Sequence, residues 1–339
     1  MDNKPLLLTA DAAERLQRSR EALAAQPVDM VRTAPQGWQP QQFSYTLAQP
    51  FTVSGPATYN KGRNSTLHFS PSTTPGWWFD RSDLPEQLPI MVSPRNVWTA
   101  QRSIVLRAGA PANYVRMTEH IIAQRLGLGL DNSLISLETG DPPLFDVGSL
   151  PLVEAILQAG LKEDRQRPLR YWTVKEPVAI MNHRNGFLLF QPAPPGDCRL
   201  NLDVAIDFPN VIGQQRVQFT LTPEVFRYGC EARTNCSATE MLYYQTVGKL
   251  FADTRNLGYT RKNILIAGKK KYLNEPTFML QGKSLEAVWH RACLDLLAAL
   301  SLHEDGRLAG HITSYKAGHA LDAQLLTMLY IRDLLEPHQ

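Results

Sequence analysis

Two blocks of apolar and polar residues along the chain share one pattern. The stretch TVSGPATYNKGRNSTLHFSP (52–71) can be laid without gaps on TVKEPVAIMNHRNGFLLFQP (173–192). Thr52, Val53, Pro56, Arg63, Asn64, Leu67, Phe69 and Pro71 recur as Thr173, Val174, Pro177, Arg184, Asn185, Leu188, Phe190 and Pro192. Each block predicts two strands joined by an Asn/Gly/Arg turn. An amphipathic helix follows each at a distance, near 116–126 in the first half and near 284–302 in the second. The pattern therefore predicts an α+β chain built from two similar units, 46–165 and 166–339, joined near 163–170, around KEDRQRPL (162–169). Two related units facing each other would place a site in the cleft between them. Residues 1–45 read as an appendage: a helix in TADAAERLQRSREALAA (9–25), with Thr9 as its N-cap, then a Pro/Gln-rich connector.

Composition narrows the class. The 339 residues suffice for two domains, and 43% are hydrophobic, as in ordinary globular proteins. A net charge of +3 argues against a nucleic-acid partner. Lys269-Lys270-Lys271 reads as a solvated turn rather than a phosphate patch. The first residues show no basic-then-apolar pattern, and no apolar run reaches the roughly 18 residues needed to span a bilayer. Neither export nor a transmembrane segment is therefore expected. Cys198, Cys230, Cys236 and Cys293 lack the CxxC spacing of a zinc ribbon, and reduced thiols in a cytoplasm are expected.

Three stretches could carry chemistry. In RMTEHIIAQRLGLGLDN (116–132), Glu119 and His120 adjoin at the start of an apolar helix. Helix neighbours point about 100° apart, so they would not share one ion. The imidazole could instead hold a metal while the carboxylate takes a proton from a water on it. The plainer alternative is a surface Glu beside a core-edge His. The GLGLDN that follows is no dinucleotide fingerprint, because it closes a helix rather than linking strand to helix. In WHRACLDLL (289–297), His290 and Asp295 lie five residues apart in a helix that could equally be plain core. In SYKAGHALDAQLL (314–326), Gly318 before His319 suggests a loop entering a helix, with the imidazole as proton donor or simple cap.

Taken in order, these pieces resemble one family, the zinc-dependent UDP-3-O-acyl-N-acetylglucosamine deacetylases of lipid A biosynthesis, LpxC. The resemblance spans roughly 43–328 and rests on TEHIIAQRLGLGLDN, PLFD (143–146), EARTNCSATE (231–240), KNILIAGKKKYLNE (262–275), WHRACLD and KAGHALDAQLL (316–326). It implies two related βααβ sandwich domains in tandem, with the active site in the cleft between them. It implies one zinc ion per chain, held by His120, His290 and Asp295. Glu119 would be the general base, His319 the general acid, and Thr234 a stabiliser of the tetrahedral oxyanion. Arg291 and Lys316 fall where the family has basic residues near the nucleotide phosphates.

The chain departs from the family pattern at several places. The family's third ligand lies four residues after the helix histidine, where this chain has Leu294, with Asp295 one further on. On a regular helix, residues four apart lie about 40° apart and residues five apart about 140°. A π-bulge would absorb the extra residue and keep both ligands. Cys293 as a thiolate ligand, or loss of the metal, are the other options. The carboxylate that supports the family's acid histidine is replaced by Ala298 or Ala299. The aromatics after the ART triplet are replaced by Asn235-Cys236-Ser237, and the family's early histidine turn reads TYNKG (58–62) with Asn60 in its place.

The expected function is a cytoplasmic, monomeric, metal-dependent amide hydrolase acting on a small N-acyl amino sugar, UDP-3-O-acyl-N-acetylglucosamine or a related compound. The alternative is a non-catalytic relative that binds a nucleotide sugar, a lipid or a protein partner.

Overall fold

A computed structural model describes residues 4–60, 62–245 and 257–338. Two large sheets carry the fold. The first has five strands, in the order Phe51–Pro56, Asn64–Pro71, Ser133–Leu137, Trp77–Arg81, Ile90–Met91. The second has seven, in the order Leu6–Leu7, Val178–Met181, Phe187–Gln191, Gly310–Tyr315, Leu200–Phe208, Gly213–Thr220, Met30–Arg32. Between them, helix Leu150–Ala159 packs on the first sheet, and helix Glu119–Leu128 crosses the helical run 286–300. That run lies on strands Leu200–Phe208 and Gly213–Thr220, and helix His319–Ile331 packs beside it on the same sheet. One continuous apolar core runs from Phe69 and Phe79 through Ile121 and Ile122 to Leu202 and Val204, and fills the space between the sheets.

The second hairpin is the antiparallel pair Val178–Met181 and Phe187–Gln191. The first is Phe51–Pro56 with Asn64–Pro71, as expected. The gapless repeat therefore matches the second strand of each hairpin but not the first. Thr173 and Val174 belong instead to strand Tyr171–Val174, in a separate sheet with Arg307–Leu308 and Leu335–His338. The turns differ in length, because Asn182 closes the second one tightly by accepting the amides of Arg184 and Gly186. Of the TYNKG turn, Lys61 lies outside the described residues.

The N-terminal segment is built into the second sheet. Leu6–Leu7 and Met30–Arg32 form its two edges, and helix Ala13–Ala25 lays Leu16 and Leu23 on its outer face. That explains why VAIM and FLLFQ are apolar without alternation. Val178, Ile180, Leu188 and Phe190 face the central core, while Ala179, Met181, Phe187 and Leu189 meet the N-terminal helix. Thr9 is not the N-cap, which falls at Ala12. Its hydroxyl bonds the backbone of Met181 in both directions and ties the segment to the sheet.

The stretch expected to join the two units lies largely in strand Leu161–Pro168, which pairs antiparallel with Phe43–Leu47, with a slip between Asp164 and Pro168. Lys269, Lys270 and Lys271 lie exposed in a turn closed by a Gly268–Lys271 backbone bond. All four cysteines are free thiols. Among the described residues, no helix is long and apolar enough to cross a membrane.

Candidate active site

Helix Glu119–Leu128 opens on the Glu-His pair and ends at Gly129, whose left-handed φ of 69° lets the chain turn away. Beyond it, the Asp131 carboxylate accepts from the Tyr45 amide and the Arg307 guanidinium, and Asn132 accepts from the Gly76 amide. GLGLDN thus fixes where the helix lies. Glu119 is buried, and its Oε2 accepts the Ile104 amide at 2.9 Å. Burial raises its pKa above the ordinary carboxylate range. The charge of His319 and the backbone amides pull it back without cancelling the rise.

The run 286–300 is not a regular helix. It is α-helical over Glu286–His290, π-helical over Arg291–Leu296 and α-helical again over Leu297–Leu300. In a π turn the hydrogen bond spans five residues instead of four, so residues five apart come to one face. Asp295 Oδ1 accordingly stands 3.3 Å from His290 Nδ1. The same oxygen is 3.5 Å from His319 Nε2, at the first residue of helix His319–Ile331, where extended Gly318 is the N-cap.

Thr234, at the start of strand Thr234–Ser237, gathers the two other imidazoles. Its Oγ1 lies 2.9 Å from His290 Nε2 and 3.3 Å from His120 Nε2. The two rings stand 5.4 Å apart, centre to centre. Ser149 holds His120 from behind, donating to its carbonyl at 2.9 Å with the hydroxyl 3.5 Å from Nδ1.

Charge is distributed unevenly over the cluster. Burial, and then the charge of His290, pushes the His120 pKa down to about 3, so this imidazole is neutral. Burial raises Asp295, but His319 and His290 outweigh it and hold the carboxylate ionised. Burial lowers His319, but Asp295, Glu119 and Asp322 together raise it above the usual imidazole range. The cluster therefore pairs a carboxylate of raised pKa with a histidine that holds its proton.

Two imidazole Nε2 atoms converging on one point, with an ionised carboxylate beside them, make a donor set of the type zinc takes. Asp295 Oδ1 is buried and has no well-aligned hydrogen-bond donor, as a ligand oxygen would. The donor types fit, but their arrangement is incomplete. Asp295 faces Nδ1 of His290, not the point shared by the Nε2 atoms. Among the described residues, no group of three or more His, Cys, Asp or Glu side chains is set to hold a metal ion.

Arg291, expected among the substrate-binding residues, faces inward. It is buried, and its Nη2 donates to Asp322 Oδ1 at 2.6 Å and to Ser314 Oγ at 3.0 Å. The π turn directs it into the core, where Asp322 receives it. Lys316 is half-buried, with Nζ 3.5 Å from Asp207 Oδ2. Cys293 is fully buried against Gly229, and burial holds its thiol well above the ordinary range, which does not suit a thiolate ligand. Ala298 and Ala299 are buried in the core. Sequence reasoning missed Asp322 and Ser149. Asp322 carried a signal, since it follows His319 by three residues and so shares its face of the helix. A cavity lined by Trp38, Gln41, Tyr171, Cys198 and Arg307 shares no residue with this cluster.

Residues 44–331 match the family model described as LpxC, UDP-3-O-acyl N-acetylglycosamine deacetylase. Curated relatives carry the same activity in their names. The UDP-3-O-acyl-N-acetylglucosamine deacetylase of Syntrophus aciditrophicus is 26% identical over 80% of this chain and 81% of its own length. That of Solibacter usitatus is 26% identical over 85% of this chain and 91% of its own. That of Bdellovibrio bacteriovorus is 27% identical over 84% and 89%.

Proposed function

The chain belongs to the LpxC family, and from that premise we propose that it hydrolyses the N-acyl group of an amino sugar such as UDP-3-O-acyl-N-acetylglucosamine. One observation carries the reading. Glu119, His120, Thr234, His290, Asp295 and His319, from four separated stretches of chain, meet in a single cluster that is buried at Glu119 and His290 and half-buried at the others. A structural core gains nothing from gathering three imidazoles and two carboxylates.

His120, His290 and Asp295 would hold one zinc ion, which would supply Lewis acidity to the amide carbonyl and acidify a water. The chain's own groups do the rest. Glu119 takes a proton from the attacking water at the carboxylate oxygen not held by Ile104. The Thr234 hydroxyl donates to the oxyanion that forms at the amide carbon. His319 delivers its Nε2 proton to the leaving nitrogen, helped by its raised pKa. The two halves, each a sheet with its helices, are read as related βααβ domains with this cluster in the cleft between them. Lys316 is the remaining candidate for an anionic group of the substrate. Asn235, Cys236 and Ser237 in place of the family's aromatics favour a divergent sugar or acyl group. A monomer in the cytoplasm, with a small-molecule substrate, fits the reading.

The test is release of free amine from UDP-3-O-acyl-N-acetylglucosamine, and from a panel of other N-acyl amino sugars, by the metal-loaded protein. Amine release that disappears in Glu119→Gln supports the reading. No release from any of them overturns it.

A further inference from the structure

Arg291 opens the π turn, immediately after His290. Asp322 lies in the first turn of helix His319–Ile331. Their ion pair, at 2.6 Å with both side chains buried, also engages Ser314 on strand Gly310–Tyr315. It thus joins three elements: the bulged run, the helix that begins at His319, and the central strand beneath them.

The pair is poorly explained by stability. Arg291 Nε and Nη1 and Asp322 Oδ2 are buried without hydrogen-bond partners. A buried ion pair with unmet groups is commonly no better than apolar residues of similar size. Another inward-facing Arg–Asp pair provides a contrast. Arg216 meets both Asp203 oxygens and the carbonyls of Leu23 and Gln26, a fully bonded clamp on the N-terminal helix. The bulged run's other polar ties include Glu286 to Arg233, before the π turn, and the contacts of His290 and Asp295 within the cluster itself. Around Arg291 the buried neighbours within and just after the π turn, such as Leu294, Leu297 and Ala298, are apolar and non-directional. A π turn is a rare local geometry that such packing would not hold in one phase by itself.

Resting on the hydrolase reading above, we propose that Arg291 and Asp322 are positioning residues whose buried pair pins the π turn to the helix bearing His319, and so fixes Asp295 between His290 and His319. Asp322 touches no substrate. Besides the charge it presents to His319, it acts on the site through this clamp, and exchange over 291–297 reads the clamp apart from that charge.

The test compares Asp322→Asn with Asp203→Asn, which weakens the fully bonded pair remote from the cluster. Amide hydrogen exchange over 291–297 is measured in the full chain, alongside kcat and KM for amine release. Asp322→Asn is expected to speed exchange over 291–297 by about tenfold. It should lower kcat about tenfold while KM stays within about twofold. Asp203→Asn should alter neither, at a similar loss of thermal stability. Unchanged exchange over 291–297 in Asp322→Asn, or an equal rise in both variants, overturns the proposal. Should Asp322→Asn not fold, Arg291→Lys, which keeps the charge but removes the Nη2 donor that reaches Asp322 and Ser314, takes its place with the same expectations. If the wild-type protein releases no amine, the hydrolase reading fails, and the exchange data still decide the clamp.

Discussion

His290 Nδ1 and Asp295 Oδ1 stand 3.3 Å apart although a regular helix would turn them to nearly opposite faces. The π turn over Arg291–Leu296 removes that conflict. One extra residue in the helix therefore leaves the imidazole and the carboxylate on the same side, with the carboxylate also beside His319. Asp295→Ala should leave the pair of histidines without its anion and lower kcat/KM by at least about a hundredfold. Measurement of kcat/KM against wild type checks this, and activity within about tenfold of wild type would remove Asp295 from the site.

The Thr234 hydroxyl is shared between His120 and His290. Thr234→Val keeps the shape and removes the hydroxyl. Loss of one oxyanion donor of this kind costs roughly a hundredfold in kcat. The expected outcome is a fall of that order with the fold intact by circular dichroism. An unchanged kcat would make Thr234 a structural spacer.

Much of this site was legible in the sequence. Glu119-His120, the single extra residue before Asp295 and Gly318-His319 are local signals, and the spacing admits a π turn as one of three options. The direction of Arg291 was not legible. Its neighbour in sequence says where it leaves the helix. Whether that face meets solvent or Asp322 depends on the packing of helix His319–Ile331 and strand Gly310–Tyr315, both distant in sequence. The N-terminal segment was similarly opaque, because its polar helix reads as an appendage whose place on the body the sequence does not give. The unbroken apolar run of FLLFQ was the sign that something covers the sheet's second face.

That covering gives a prediction. Removing residues 1–32 would expose Ala179, Met181, Phe187 and Leu189 and open both edges of the seven-stranded sheet. The shortened chain should aggregate. Leu16→Ala, a milder test, should cost about 2–5 kcal/mol in denaturant unfolding. A stable, soluble truncation would show that the sheet does not need the segment.

His303 is buried, and burial followed by the charge of Arg125 pushes its pKa down to about 3. Its Nδ1 lies 2.9 Å from the Tyr330 hydroxyl. The folded protein keeps this imidazole neutral, while the unfolded chain binds a proton below about 6.5. Its contribution is thus fully present above pH 6.5 and is lost as pH falls toward 3. His303→Gln should flatten the stability–pH slope in that window by up to about 1.4 kcal/mol per pH unit. Equal slopes for the two proteins would show that His303 is protonated in the fold.

The most direct test of the metal reading is elemental analysis of the purified protein beside His120→Ala and Asp295→Ala. The expected result is about one divalent ion per wild-type chain, and far less in both variants. Wild-type protein that binds no divalent ion, even after incubation with zinc, would contradict it.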